Sequence, residues 1–382
     1  MTNAHDNLTR DIGQLLVVGF DGATSTAPDS IAESLAEERI GGVILFGRNI
    51  GDVDQIVELT AHIHDAAAEA DAPPFVAVDQ EGGRVMRIRD PLTPLPTARA
   101  LGAAADMRDV VRVAEVQAKE LCALGFNLNF APVLDVDTNP DNPVIGDRAF
   151  CDDPKKVARC GAGVLLGHHR AGVIPCGKHF PGHGDTDRDS HKELPRIDHD
   201  RERLEQIELY PFQRAVAADI PMLMTAHIEV PALDDEHPAT LSRPIITDLL
   251  RRDFGYDGVV ITDCLEMSAV ADRYDITEMV ELGIRAGVDI FLICHTEEKW
   301  QAAFDHLNEL ARRDDDFRTR IEAAAARVRR LKQDLLGHWP RPWSPRDGFR
   351  QLLGSPDHRQ LVEPYLRDGA ANDDDDPTAP DG

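Results

Sequence analysis

Lysine is scarce in this chain: seven occur in 382 residues, at positions 119, 155, 156, 178, 192, 299 and 332, against 68 acidic side chains and a formal net charge of −27. A surface so rich in carboxylate does not suit nucleic acid or an anionic membrane as a partner. Apolar runs near the roughly 18 residues of a membrane span are also missing, and Met1 to Arg10 is polar, without the apolar core of a signal peptide. A cytoplasmic protein is expected. The six cysteines (Cys122, Cys151, Cys160, Cys176, Cys264, Cys294) form no CxxC pair and several lie in apolar runs, which reads as buried free thiols. The excess acid has two readings, a surface adapted to high salt and an ordinary acidic soluble enzyme.

What is present is alternation. Short β-rich apolar runs occur at Leu15–Phe20, Gly42–Phe46, Phe75–Asp79, Phe126–Val133, Val173–Phe180, Met222–Ile228, Gly258–Asp263 and Asp289–Cys294. Between them lie segments of helical period such as Val53–Ala70, Val110–Leu124, Pro154–Ala171, Arg201–Ala218 and Thr277–Ala286, and a last one spans Arg318–Leu336. Strand and helix repeated eight times predict a single-domain TIM-type (β/α)8 barrel. A doubly wound open sheet fits less well, because Gly19, Phe20, Asp21 and Gly22 after the first run form no GxGxxG phosphate cradle. The barrel is expected over 1–345, with a C-terminal extension over 346–371 and an acidic, disordered tail over 372–382, where Asp373 to Asp376 precede proline and glycine.

A barrel gathers its chemistry at the carboxyl ends of its strands, and polar residues cluster there. The third run ends in Asp79, Gln80, Glu81, Gly82, Gly83 and Arg84; the fourth leads to Asp135, Asp137, Asp147 and Arg148. The fifth ends in Lys178 and His179, the sixth in His227 and Glu229, and the seventh in Thr262 and Asp263. Each group has a bland reading: a strand-end aspartate often caps the next helix, and Asp79 with Arg84 or Arg87 makes an ion pair without function. Gly82 and Gly83 allow a sharp turn or a close backbone approach to a ligand.

Two chemistries suit these groups. His179, His183, His191 and His227 with nearby carboxylates suit a divalent metal that activates water, although HExxH is missing and the His62/His64 pair sits on a helix-like segment. Alternatively, one carboxylate attacks while another ionisable group protonates a leaving oxygen, as in covalent glycosyl transfer.

The stretch from Lys178 to His191, together with Gly258 to Met267, resembles glycoside hydrolase family 3, in its β-N-acetylglucosaminidase branch. Ile12–Phe20, Gly41–Asn49, Asp79–Arg87, Asn127–Phe150 and Pro221–Asp263 match in order. The resemblance implies a retaining hydrolase that releases a non-reducing terminal N-acetyl-β-glucosaminyl residue, with Asp263 as nucleophile, His191 as acid/base and Asp189 as its partner. It also implies that Asp79, Arg87, Arg148, Lys178 and His179 hold sugar hydroxyls, and that a small carbohydrate is the only partner of a monomer that needs no metal or other cofactor. Many relatives carry a second α/β domain; a single-domain form is expected here, since only about forty residues follow the Arg318–Leu336 helix. A β-glucosidase or a glycoside phosphorylase on the same scaffold, and a metal-dependent barrel hydrolase, stay open as alternatives.

Overall fold

In each apolar run, alternate side chains point to opposite faces, and both faces must be buried for a strand of a parallel barrel to form. The computed structural model, which describes residues 2–186, 194–341 and 343–366, has this arrangement. Its strands β1 (Leu16–Val18), β2 (Gly42–Leu45), β3 (Phe75–Val78), β4 (Leu128–Asn129), β5 (Ile174–Phe180), β6 (Met222–Thr225), β7 (Val259–Cys264) and β8 (Ile290–Ile293) close into a parallel barrel. Neighbours follow chain order, and β1 meets β8 with Leu16 opposite Phe291 to complete the ring. Val17, Ile44, Ala77, Leu128, Cys176, Met224, Ile261 and Leu292 fill the interior. Their neighbours Val18, Val43, Val78, Val260 and Ile293 pack outward against helices.

The helices fall close to their expected positions: Val53–Ala66, Met107–Ala123, Pro154–Ala171, Ile276–Ala286 and Asp315–Leu336. Aspartate begins many of them. The carboxylates of Asp52, Asp106, Asp153, Asp200, Asp275 and Asp314 accept backbone N–H bonds in the first turn, so part of the acid excess serves as N-caps. The expected Arg201–Ala218 helix is broken into Arg201–Gln206 and Tyr210–Val216. Pro211 is the reason, since it has no N–H to continue the first piece but fits the first turn of a new one. Met1 to Arg10 reads as polar, yet Thr2–Gln14 is helical, and Leu8 and Ile12, one turn apart, are enough to seat it.

The amino end of the barrel is sealed by the last long helix. Lys332 is buried there, with Nζ donating to Gln14 Oε1 and to Gly41 O, both at 2.7 Å, and lying 4.4 Å from the Phe75 ring centroid. Trp339 and Trp343 follow and pack on His64, whose Nε2 donates to Gly125 O at 2.9 Å. The His62/His64 pair is therefore split: His64 is a core residue, and His62 Nδ1 accepts from Ala27 N–H. Short helices Phe349–Leu352 and Pro356–Val362 then fold over the Met107–Ala123 helix, where buried Glu120 accepts from His358 Nδ1 at 2.7 Å. The expected tail, 372–382, lies outside the described residues. Among the described residues no helix is long and apolar enough to cross a membrane.

Two buried imidazoles set an acid limit. His168 Nε2 accepts from Asn129 Nδ2 at 3.0 Å, so its proton sits on Nδ1, which donates to Val164 O at 3.1 Å. Burial lowers the pKa of His64 and of His168 from 6.5 to about 4. The unfolded chain binds the extra protons first, so stability present above pH 6.5 is lost as the pH falls toward 4. Thermal midpoints measured from pH 7 to pH 4 should fall, and His168→Gln should fall less steeply; equal slopes would contradict the assignment.

Candidate active site

At the carboxyl end of β3 the chain turns into a hairpin, Gln80–Gly82 paired with Val85–Met86. Gly82 and Gly83 make the turn at φ +117° and +58°, and a Cβ on either would run into Pro96 O or Thr97. The glycines thus serve a tight turn against the chain's own 95–97 segment. Asp79 and Glu81, two residues apart, meet Lys178 from β5: Nζ lies 2.7 Å from Asp79 Oδ1 and 2.6 Å from Glu81 Oε1. Arg148 grips the same Glu81 through Nε at 2.9 Å and Nη2 at 2.8 Å, while its Nη1 donates to Val144 O at 3.2 Å. Burial would raise the Glu81 pKa, but Arg148 and then Lys178 outweigh it and hold the carboxyl well below 4.5. Burial pulls Lys178 down, and Asp79 and Glu81 keep it above its ordinary value.

A second buried carboxylate orders the next stretch. Asp135 is fully buried and takes three bonds: His179 N–H at 3.1 Å, His179 Nδ1 at 2.7 Å and His183 N–H at 2.7 Å. Burial acts to raise its pKa, yet His179 and His183 bring it below the usual carboxylate value. Burial lowers the pKa of His183 to about 4, and its Nδ1 bonds Thr186 Oγ1 at 2.8 Å. Asn142 Nδ2 donates to the carbonyls of His183 and Gly184 at 2.9 and 3.1 Å. The chain up to Thr186 is thereby fixed to the loop after β4.

Asp263 is the penultimate residue of β7, with Oδ1 accepting Cys264 N–H at 2.7 Å. β5, β6 and β7 run parallel as neighbours in the barrel, so Asp263 stands at the same carboxyl end as the Lys178 cluster. Arg87 Nη2 lies 3.9 Å from Asp79 Oδ2, and Arg84 turns away to Asp147 at 2.9 Å. His227, two residues past β6, is buried between Thr240 Oγ1 and Cys264 O at 2.8 and 2.9 Å. Glu229 pairs with Arg273 at 2.7 Å on the rim. Asp189 and His191 lie outside the described residues. The segment re-enters at buried Leu194, and Pro195 O accepts from Glu229 N–H at 2.9 Å.

Of the sugar-site candidates, Asp79, Arg148, Lys178 and His179 are joined in two adjacent buried networks with Arg87 at their edge. Glu81 and Asp135 are the residues to which the sequence assigns no role, although each network turns on one of them. For Glu81 the i, i+2 spacing from Asp79 is the available signal; for Asp135 it is a lone carboxylate just past an apolar run. Among the described residues no group of three His, Cys, Asp or Glu side chains is arranged to hold a metal.

The model of the glycosyl hydrolase family 3 N-terminal domain matches residues 7–331. The chain is 37% identical over 366 residues to β-hexosaminidase A of Pseudoalteromonas piscicida, covering 89% of this chain but 60% of that protein. It is 40% identical over 274 residues to a β-hexosaminidase of Chromobacterium violaceum, covering 70% and 75%. Its fold is similar to that of a family 3 β-N-acetylglucosaminidase from Paenibacillus, with a TM-score of 0.87 and 40% identity over 94% of this chain and 68% of that one.

Removing the central carboxylate tests the network. Glu81→Gln leaves Lys178 and Arg148 short of a counter-charge, which should cost about 3 kcal/mol of unfolding free energy at pH 7. Because Glu81 is held below 4.5, its contribution is present above that pH and lost as the pH falls through its lower folded value. Denaturant titrations should show the gap between parent and variant narrowing in acid; a constant gap would rule out a charge effect.

Proposed function

The chain belongs to glycosyl hydrolase family 3, and we propose that it is a retaining β-N-acetylhexosaminidase that releases N-acetylglucosamine from the non-reducing end of a small carbohydrate. One observation carries this reading: the Asp263 carboxylate, which accepts Cys264 N–H, stands at the carboxyl end of β7, the same end of the parallel barrel as the Lys178, Asp79 and Glu81 cluster. The names of the similar proteins support the choice of an N-acetylhexosaminide.

In the first step an Asp263 oxygen bonds to the anomeric carbon as the glycosidic C–O bond breaks, and His191 gives its proton to the departing oxygen. Asp189, two residues away, favours the charged imidazole and so raises its pKa toward neutrality. In the second step water attacks the anomeric carbon of the ester, neutral His191 takes the proton of that water, and Asp263 is released. Asp79, Arg87, Lys178 and His179 hold sugar hydroxyls by charge-assisted bonds. Asp135 acts behind them by fixing His179 through Nδ1, which turns Nε2 outward. Arg148 has three nitrogens engaged by Glu81 and Val144, so its contribution runs through the position of Glu81.

A panel of aryl glycosides tests the assignment. The 4-nitrophenyl N-acetyl-β-glucosaminide should be hydrolysed at least about tenfold faster, by kcat/KM, than the β-glucoside, with no gain from phosphate and no loss to chelator. A reversed preference indicates a glucosidase, acceleration by phosphate a phosphorylase, and chelator inhibition a metal enzyme. Asp263→Asn should lower kcat by about a thousandfold or more, as for other catalytic groups removed singly. His191→Ala should damage substrates with poor leaving groups far more than the activated aryl glycoside; equal losses would refute its role as acid.

A further inference from the structure

Residues 187–193, which include Asp189 and His191, are entered from Thr186 and left at Leu194, and each side is fastened to a different neighbour. On the entry side Thr138 Oγ1 donates to Asp185 Oδ1 at 2.7 Å and Asn139 Nδ2 donates to Thr186 O at 3.1 Å, both from the chain after β4. On the exit side Ile197 N–H donates to Glu229 O at 2.9 Å, and Arg196 Nη1 lies 3.8 Å from the Glu229 carboxylate, both beyond β6. The two sides meet where His199 Nε2 donates to Asp185 Oδ2. Arg203 Nη2 backs this contact, 3.9 Å from Asp185 Oδ1 and 3.2 Å from Glu208 Oε1. Asp200, next to His199, accepts Arg203 N–H at 2.9 Å and starts the Arg201–Gln206 helix, so His199 is set on a fixed element. Both partners are partly exposed, His199 at 31% and Asp185 at 19%. An ion pair so placed adds little to stability, which leaves its position in the chain to account for it.

We propose that Asp185 and His199 are positioning residues for proton transfer: their contact fixes the two ends of the stretch that carries Asp189 and His191, and so sets how well His191 meets the departing oxygen. This rests on the proposed glycosidase activity and on His191 as its acid. Asp185 is four residues before Asp189, and His199 is eight residues after His191. A chain of this length whose ends are tied together has far fewer arrangements than one tied at each end to a separate neighbour. Proton transfer is sensitive to that difference, because an acid must come within hydrogen-bond reach of the oxygen it protonates, and a small misplacement costs rate without costing affinity. Neither residue is placed to touch the sugar. Asp185 is taken up by Thr138, His199 and Arg203, and the sugar contacts Lys178 and His179 are held independently by Asp79, Glu81 and Asp135.

Two aryl N-acetyl-β-glucosaminides, 4-nitrophenyl and 4-methoxyphenyl, separate protonation from binding, because only the second needs a proton on its leaving oxygen. His199→Ala should lower kcat/KM about tenfold on the 4-methoxyphenyl glycoside and less than about twofold on the 4-nitrophenyl glycoside. Asp185→Ala should reproduce that pattern. His199→Gln, whose amide nitrogen reaches toward the same carboxylate, should stay within about twofold of the parent on both. In a His191→Ala background, His199→Ala should cause no further loss, since the group it positions is gone. Equal losses on the two glycosides, no loss on either, a loss that persists in the His191→Ala background, or His199→Gln no better than His199→Ala would overturn the positioning role and leave the activity standing. Absence of turnover by the parent on every N-acetylhexosaminide would overturn the activity, and the positioning role with it.

Discussion

The contact of Lys178 with two carboxylates is the constraint on which the mouth of the barrel depends. A fully buried ammonium loses several kcal/mol of hydration, and a carboxylate at 2.6–2.7 Å returns about 6 kcal/mol at an effective dielectric constant near 20. One partner is close to break-even once its own desolvation is counted. Two partners, one of them doubly bonded by Arg148, move the balance in favour of the charged state. Three strand ends, β3, β4 and β5, are thus tied together by charge where the barrel would otherwise be free to breathe, and Asp263 approaches from β7 across the same opening.

The barrel is legible from alternation because both faces of each strand are buried, so every run is apolar over its whole length. Strand ends are equally readable: Asp79, Lys178, His179 and Asp263 stand where the apolar residues stop. Less readable is the rank of the charged residues among themselves. Asp79 and Glu81 look alike in one dimension, but Glu81 faces two cations and Asp79 faces Lys178 with a more distant Arg87. Asp135 resembles a cap and instead organises His179 and His183, because the chain after β4 continues beside β5, with Val133 bridged in parallel to Lys178. The histidine count misleads in the same way. His183 bonds Thr186 and His227 bonds Thr240 and Cys264 O, all within the core.

Acidic composition has a partly local origin too. Six aspartates cap helix starts, and others pair with arginine on the outer surface, for example Asp248 with Arg252 and Asp316 with Arg320. Arginine suits this use because its fork engages carboxylates at several angles. Among the described lysines two are buried, at opposite ends of the barrel: Lys178 at the mouth among carboxylates, Lys332 at the base among neutral oxygens. The same residue type is kept charged at one end and pulled down to about 7 by burial at the other.

The central claim is that Asp263 becomes covalently bonded to the sugar. Incubation with a 5-fluoro N-acetylglucosaminyl fluoride, which slows the second step more than the first, followed by proteolysis and mass spectrometry, reads this directly. The account predicts one glycosyl adduct, on the peptide that contains Asp263. An adduct on a different carboxylate, or rapid turnover of ordinary substrate with inversion at the anomeric carbon and no adduct, would contradict it.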